Sequence, residues 1–356
     1  MNAASLVRRL LVAMIFAIVV YGVFVVMRGL DVIGGALATY QWSTFLVALG
    51  LTFTNYVLRF GKWEFYLARL GVRGVPKLDS FLIFLSGFVL TVTPGKVGEV
   101  FKSLVLSETH GTPMARTAPI VVAERLTDVI GVVVLVIMGS LAFPGGLVWA
   151  LAGAGAVLAG LVLISSQRTM DGVVAWLERS RGPLGRVAPR VREAWASLRT
   201  LTSPGALALP TALSVASWSL EALALWAILR GLGANAPGTL ALFVYATSTL
   251  AGALIPVPGG LGVTEGLLEQ QLARLGGVPL ASSTSAMILV RFATLWFAVA
   301  LGFSALALLR LKFPTLLRAP EAKGDPALLR APEAKGGLAP DASPPGAPEA
   351  KGSVDD

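Results

Sequence analysis

Cysteine is absent from this sequence and histidine occurs once, as His110. The first absence excludes disulfides and thiolate metal sites. The second leaves no material for a histidine-based triad or metal centre, so neither metal nor cofactor is expected. Charge is scarce too: 14% of the 356 residues are charged against 55% hydrophobic, with a mean hydropathy of +0.76. The apolar residues come in runs that no soluble core absorbs. No G-x-x-x-x-G-K-[ST] run is present, which excludes ATP hydrolysis by a P-loop. A cleavable signal peptide is not evident either. Arg8 and Arg9 lead into an apolar run through Met27 that reads as a retained first span.

The formal charge of +9 does not point to nucleic acid. Residues 313–356 carry five basic and seven acidic side chains, so the rest holds +11, in loops beside apolar runs. Such loops reflect membrane topology and contact with anionic lipid at the cytoplasmic surface. A span needs ~20 apolar residues, and 7–27, 41–60, 117–141, 146–165, 206–230 and 284–309 qualify. Basic residues before the first span, after the second (Lys62, Arg69, Arg73, Lys77), in loop 166–205 and after the last put all four segments, and both termini, inside.

Two further segments, 80–106 and 239–272, are interrupted at Thr93-Pro94-Gly95 and at Pro256 and Pro258-Gly259-Gly260. Most of their arms are too short to cross a ~30 Å hydrocarbon core, which predicts re-entrant hairpins. Both contain Pro-Gly-x-(Val/Leu)-Gly, Pro94 to Gly98 and Pro258 to Gly262, followed by Glu99 or Glu265 and a span with an early arginine, Arg125 or Arg291. Three spans intervene, so the repeat is inverted, a recurrent plan in secondary transporters. The expected fold is all-α: a polytopic membrane domain over 1–312, with about six transmembrane helices plus two re-entrant hairpins. In loop 166–205, Val191, Ala194, Trp195 and Leu198 fit either an amphipathic helix on the inner leaflet or a solvated connector. APEAKG recurs in 313–356, a low-complexity cytoplasmic tail expected to be disordered.

Restarting a helix at Gly95-Lys96 or Gly259-Gly260 aims unpaired N–H groups and the positive dipole end at the midplane. That suits an anion, with Lys96 adding charge; the alternative is that these residues only shape a turn. Arg125 and Arg291 lie inside their spans, where a charge costs ~2.5–3.5 kcal/mol at the centre unless partnered. Glu99, Glu124 and Asp128 are the partners within reach of Arg125, and Glu265 is the counterpart for Arg291. Both arginines also read as staples or as interface-seeking side chains. Glu221, mid-span without a basic neighbour, fits proton coupling or a structural hydrogen bond. Asn55 and Arg59 are assigned to the same cavity.

At these residues the sequence resembles a known family. LTVTPGKVGEVFKSLVL, AERLTDVIGVVVL and IPVPGGLGVTEG look like signature segments of the lysylphosphatidylglycerol synthase transmembrane-region, or flippase-like, family, over roughly residues 5–312. The resemblance implies a bacterial inner-membrane protein that moves a lipid or polyprenyl-linked intermediate between leaflets. Its signature positions fall on Pro94, Gly95, Gly98, Glu99, Glu124, Arg125, Asp128, Pro258, Gly259, Gly262 and Glu265. The soluble aminoacyltransferase domain of the bifunctional synthases is expected to be absent. The leading expectation is thus a non-enzymatic lipid transporter that binds an anionic headgroup at half-helix N-termini. The alternatives are a non-transporting partner of a separate synthase or glycosyltransferase, and an intramembrane lipid-modifying enzyme using Glu99, Glu124 and Asp128.

Overall fold

The computed structural model describes residues 30–91, 99–140, 188–255 and 257–317, with isolated positions between 12 and 26 and between 148 and 179. Every regular element among them is helical. A short helix α1 (Leu30–Ala38) leads into α2 (Trp42–Arg69), whose 28 residues span ~42 Å. On α2 the residues Thr52, Asn55, Tyr56, Arg59, Lys62 and Trp63 recur at helical spacing and are buried, whereas Leu46, Val47, Phe53 and Val57 are exposed. Polar groups inside and apolar groups outside is the arrangement of a membrane helix in a bundle.

The chain continues through α3 (Lys77–Ser86) with a 3-10 turn (Gly87–Leu90), α4 (Phe101–His110), a helical turn (Met114–Thr117) and α5 (Pro119–Ser140). Next come α6 (Ala188–Leu201), α7 (Pro204–Gly231), α8 (Gly238–Leu254), a 3-10 turn (Pro258–Gly260) and α9 (Val263–Gly276). A continuous helical run of 33 residues closes the bundle: α10 (Leu280–Arg291), a π turn (Phe292–Trp296) and α11 (Phe297–Lys312). Among the described residues, Trp42–Arg69, Gly205–Gly231 and Leu280–Lys312 are long and apolar enough to cross a membrane. The 22-residue α5 carries Glu124, Arg125 and Asp128 in its first half. The expected spans 7–27 and 146–165 lie outside the described residues except for isolated positions.

The second span runs to Arg69, well beyond the expected end at residue 60. Lys62 is thus not a loop cation but a fully buried side chain. The basic side chain made the hydropathy run look finished, although its charge is neutralised within the bundle.

Helices α2 and α7 pack antiparallel along their whole length. Gln41 N–H donates to Gly231 O, Asn55 to Glu221, Lys62 to Ser214 and Arg69 to Gly205 O. The segments that follow them therefore start at opposite ends of the bundle. The first is α3 with α4, where Gly87 faces Lys102 and Thr91 Oγ1 donates to Glu99 at 3.2 Å. The second is α8 with α9, antiparallel because Leu240 faces Gly276 while Gly252 faces Gly260.

The two halves keep register. Helices α2 and α7 have equal length and the C-caps Leu70 and Leu232, each followed by a glycine of positive φ, Gly71 and Gly233. Further on, α4 and α9 end at the left-handed C-caps Gly111 and Gly277, and Pro113 and Pro279 then cap the next helices.

Each trailing helix packs on the other half's helical pair. Gly139 of α5 sits where a Cβ would lie 2.8 Å from Phe243 Cβ, and Gly302 of α11 where one would lie 2.7 Å from the Val89 backbone nitrogen. Two apolar clusters result. One joins α5, α7, α8, α9 and α10 with Ala48 of α2, and the other joins α2, α3, α4, α6 and α11 with Ile120 and Ala123 of α5.

Trp195, Leu198 and Leu201 of α6 belong to that second cluster. Of the expected stripe, Leu198 is buried and Trp195 partly so, against the end of α2 and α5, while Val191 and Ala194 stay part-exposed. Residues 313–317, grouped with the tail by composition, also pack here. Leu316 and Leu317 are buried, and Leu317 N–H donates to Glu108 at 3.0 Å. Residues 318–356 lie outside the described residues.

Candidate functional site

Helices and turns of both halves converge on a cavity of about 260 Å³. Its polar walls come from α2 (Tyr56, Arg59), α5 (Arg125, Asp128), α7 (Trp218, Glu221), α8 (Tyr245) and α10 (Arg291), and Gly259 and Gly260 reach it from the 3-10 turn. A charged side chain at such depth stays only where protein or water compensates it, and the partners are specific.

Asp128 is the hub of the first-half cluster. It receives Lys62 at 2.6 Å, Arg59 at 3.3 Å and Arg125 at 3.5 Å, with the Ser214 hydroxyl at 3.0 Å. Arg125 also pairs with Glu99, which ties α5 to the start of α4. Its side chain stays 24% exposed, so the guanidinium still faces the cavity. Arg59 lies 5.8 Å from the Trp218 ring, a cation–π distance. Glu124 turns away from Arg125 and pairs with Lys102, itself 4.7 Å from the Trp63 ring.

The second half repeats the staple without the cluster. Arg291 Nε donates to Glu265 at 2.6 Å and its Nη2 to Gly259 O at 2.9 Å, fixing the 3-10 turn to α10. Gly259, Gly260 and Gly262 all have positive φ, which glycine alone adopts readily. At Gly260 a Cβ would also lie 3.3 Å from Gly252 Cα, so the two arms meet backbone to backbone. Glu265 Oε2 accepts from Gly262 N–H at 2.7 Å. The negative charge expected at this half-helix N-terminus is thus supplied by the chain itself, a capping interaction.

Glu221 is buried and accepts from Asn55 Nδ2 and from the Tyr245 hydroxyl. Asn55 reaches the cavity wall only through Glu221. The structure brings Arg59, Arg125, Asp128 and Glu221 to the cavity with Gly259, Gly260 and Arg291, whereas Glu99, Glu265 and Gly262 hold the staples behind its wall and Glu124 pairs away from it with Lys102. Pro258 lies in the same turn. Pro94, Gly95, Lys96 and Gly98 lie outside the described residues. Lys62 and Lys102 had no site role in the sequence reading, nor did Tyr56, Trp218 and Tyr245. The match of T-x-x-N-Y-x-L-R in α2 to S-x-x-S-W-x-L-E in α7 is the signal that exposes two of these aromatics, by pairing Tyr56 with Trp218.

The family model described as "Lysylphosphatidylglycerol synthase TM region" matches residues 10–302. No curated protein matches the chain.

Proposed function

This chain belongs to the lysylphosphatidylglycerol synthase TM-region family, and from that premise we propose that it carries an anionic lipid or lipid-linked intermediate between leaflets without altering it. The observation that carries the reading is the cavity itself. Three arginines, Arg59, Arg125 and Arg291, open onto one partly open cavity at the meeting point of the two halves. A headgroup phosphate would engage Arg59 and Arg125, whose guanidinium groups share Asp128 and offer forked donors, while the acyl or prenyl chains stay in the bilayer. Pairs α3/α4 and α8/α9 would act as re-entrant hairpins from opposite faces, and rocking of one half against the other would expose the cavity alternately. The basic flanks of the spans favour an inner-membrane orientation with both termini cytoplasmic.

The test is flux in proteoliposomes. Fluorescent phosphatidylglycerol in the inner leaflet becomes accessible to dithionite only after crossing. The protein is expected to accelerate that crossing over empty vesicles. Arg59→Gln and Arg125→Gln should each slow it roughly tenfold or more, since a hydrogen bond to a charged group contributes ~1.5–3 kcal/mol. Crossing no faster than in empty vesicles, or full rates in both variants, would overturn the reading. Chemically altered lipid recovered from the vesicles would make the protein an enzyme instead.

A further inference from the structure

The duplication is symmetric in its staples and asymmetric in its charge. Counting from the shared caps, Glu99 corresponds to Glu265 and Arg125 to Arg291, which form the same pair in each half. Around that frame the halves diverge. Lys102 corresponds to Leu268, Glu124 to Val290, Asp128 to Thr294 and Lys62 to Ala224. Most telling are Arg59 and Glu221. They stand equally far from the starts of α2 and α7 and from their C-caps. Both line the cavity, with opposite charge.

Their placement along the bundle follows from the antiparallel pairing. Glu221 is level with Asn55, and Arg59 lies one turn further, ~6 Å toward Arg69 and the base of α3/α4. The first-half positions hold Arg59, Lys62, Lys102 and Arg125 against Glu99, Glu124 and Asp128. The second-half positions hold Arg291 against Glu221 and Glu265. Of the charged side chains that line the cavity itself, the first half supplies Arg59 and Arg125 against Asp128 and the second Arg291 against Glu221, so one end is net cationic and the other balanced.

Resting on the transport reading above, we infer that the cavity is a one-sided anion site. Arg59 marks the loading end, toward the base of α3/α4, and Glu221 repels the headgroup at the end toward the base of α8/α9. Glu221 acts as the sidedness determinant: its carboxylate shortens the stay of a phosphate when the cavity opens on that side. For uncoupled transport, detailed balance fixes the same ratio of maximal rate to half-saturation in both directions. The loading side thus shows the lower half-saturating lipid fraction together with the lower maximal rate.

The experiment uses full-length protein in vesicles, with orientation read by impermeant thiol labelling of Arg73→Cys and Asn235→Cys, both exposed, in a chain that has no other cysteine. Fluorescent phosphatidylglycerol is supplied from one side or the other. The expected result is half-saturation about fivefold lower from the Arg73 side, the ratio given by ~1 kcal/mol of charge–charge energy, and a ratio moved toward equality in Glu221→Gln. Equal half-saturation from the two sides in the unmodified protein overturns the inference and leaves the transport reading standing. If nothing is transported, that reading falls, and binding of dihexanoylphosphatidylglycerol to the protein in nanodiscs decides the inference alone. Glu221→Gln must then tighten binding while Arg59→Gln weakens it; a weakening in both overturns the assignment.

Discussion

Replacing Asp128 by asparagine leaves the side chain's shape almost unchanged and removes the one negative charge shared by three cations. Lys62 Nζ, at 2.6 Å, has no other carboxylate among its contacts, only Thr127 Oγ1 and Ser214 Oγ. Arg59 has Asp128 as its ion-pair partner, whereas Arg125 keeps Glu99. Two buried cations therefore lose their contacting carboxylate and keep only more distant ones, Glu124 for Lys62 and Glu99, Glu124 and Glu221 for Arg59. Removing one partner of a buried pair costs ~3–5 kcal/mol, chiefly through the charge left behind, a large part of a typical ~5–15 kcal/mol stability. At ~2 °C per kcal/mol for a large domain, the midpoint in detergent, followed by tryptophan fluorescence, should fall by about 6–10 °C. The double variant Asp128→Asn with Lys62→Met removes the more deeply buried of the stranded cations and should recover part of the loss. A midpoint within ~1 °C of the unmodified protein in Asp128→Asn would refute the hub, as would an additive double variant.

Two further outcomes are expected. Gly231→Ala would place a Cβ 2.6 Å from the Tyr40 ring and against Thr44, so it should destabilise by ~1–3 kcal/mol through overpacking. Gly50→Ala, with nothing within 4 Å, should leave the midpoint unmoved; equal midpoints for the two would count against the tight α2–α7 crossing. Arg291→Lys keeps the charge but cannot hold both Glu265 and Gly259 O, so the 3-10 turn should loosen. Thiol labelling of Ala253→Cys should then quicken severalfold, and unchanged labelling would rule out the staple.

Much of this site was legible in the sequence. Two PGxxG motifs with a trailing glutamate and an arginine-bearing span pointed to the Glu99–Arg125 and Glu265–Arg291 pairs. What stayed hidden was how charge cancels in space. Lys62 looked like the end of a span because its partner Asp128 sits on another helix. Lys102 is inconspicuous in the sequence for the same reason, its partner being Glu124 of α5. The α6 stripe was correctly apolar, but a stripe does not reveal whether lipid or protein covers it. Glu265 shows the converse. A half-helix N-terminus asks for an anion, and sequence alone does not say that a carboxylate three residues on answers it.

The exchange of trailing helices has a consequence for how this chain is made. Synthesis delivers α3 and α4 early, yet Gly302 of α11, against which α3 and its 3-10 turn pack, emerges only near the end of the described chain. The first pair must wait, the face of α3 and its 3-10 turn that meets Gly302 still uncovered, until almost all later helices have been made. Neither half is a folding unit in its own right. A ribosome stalled before residue 297 would leave an assembly whose oldest part is still unfinished, and cellular quality control would meet that intermediate first at α3.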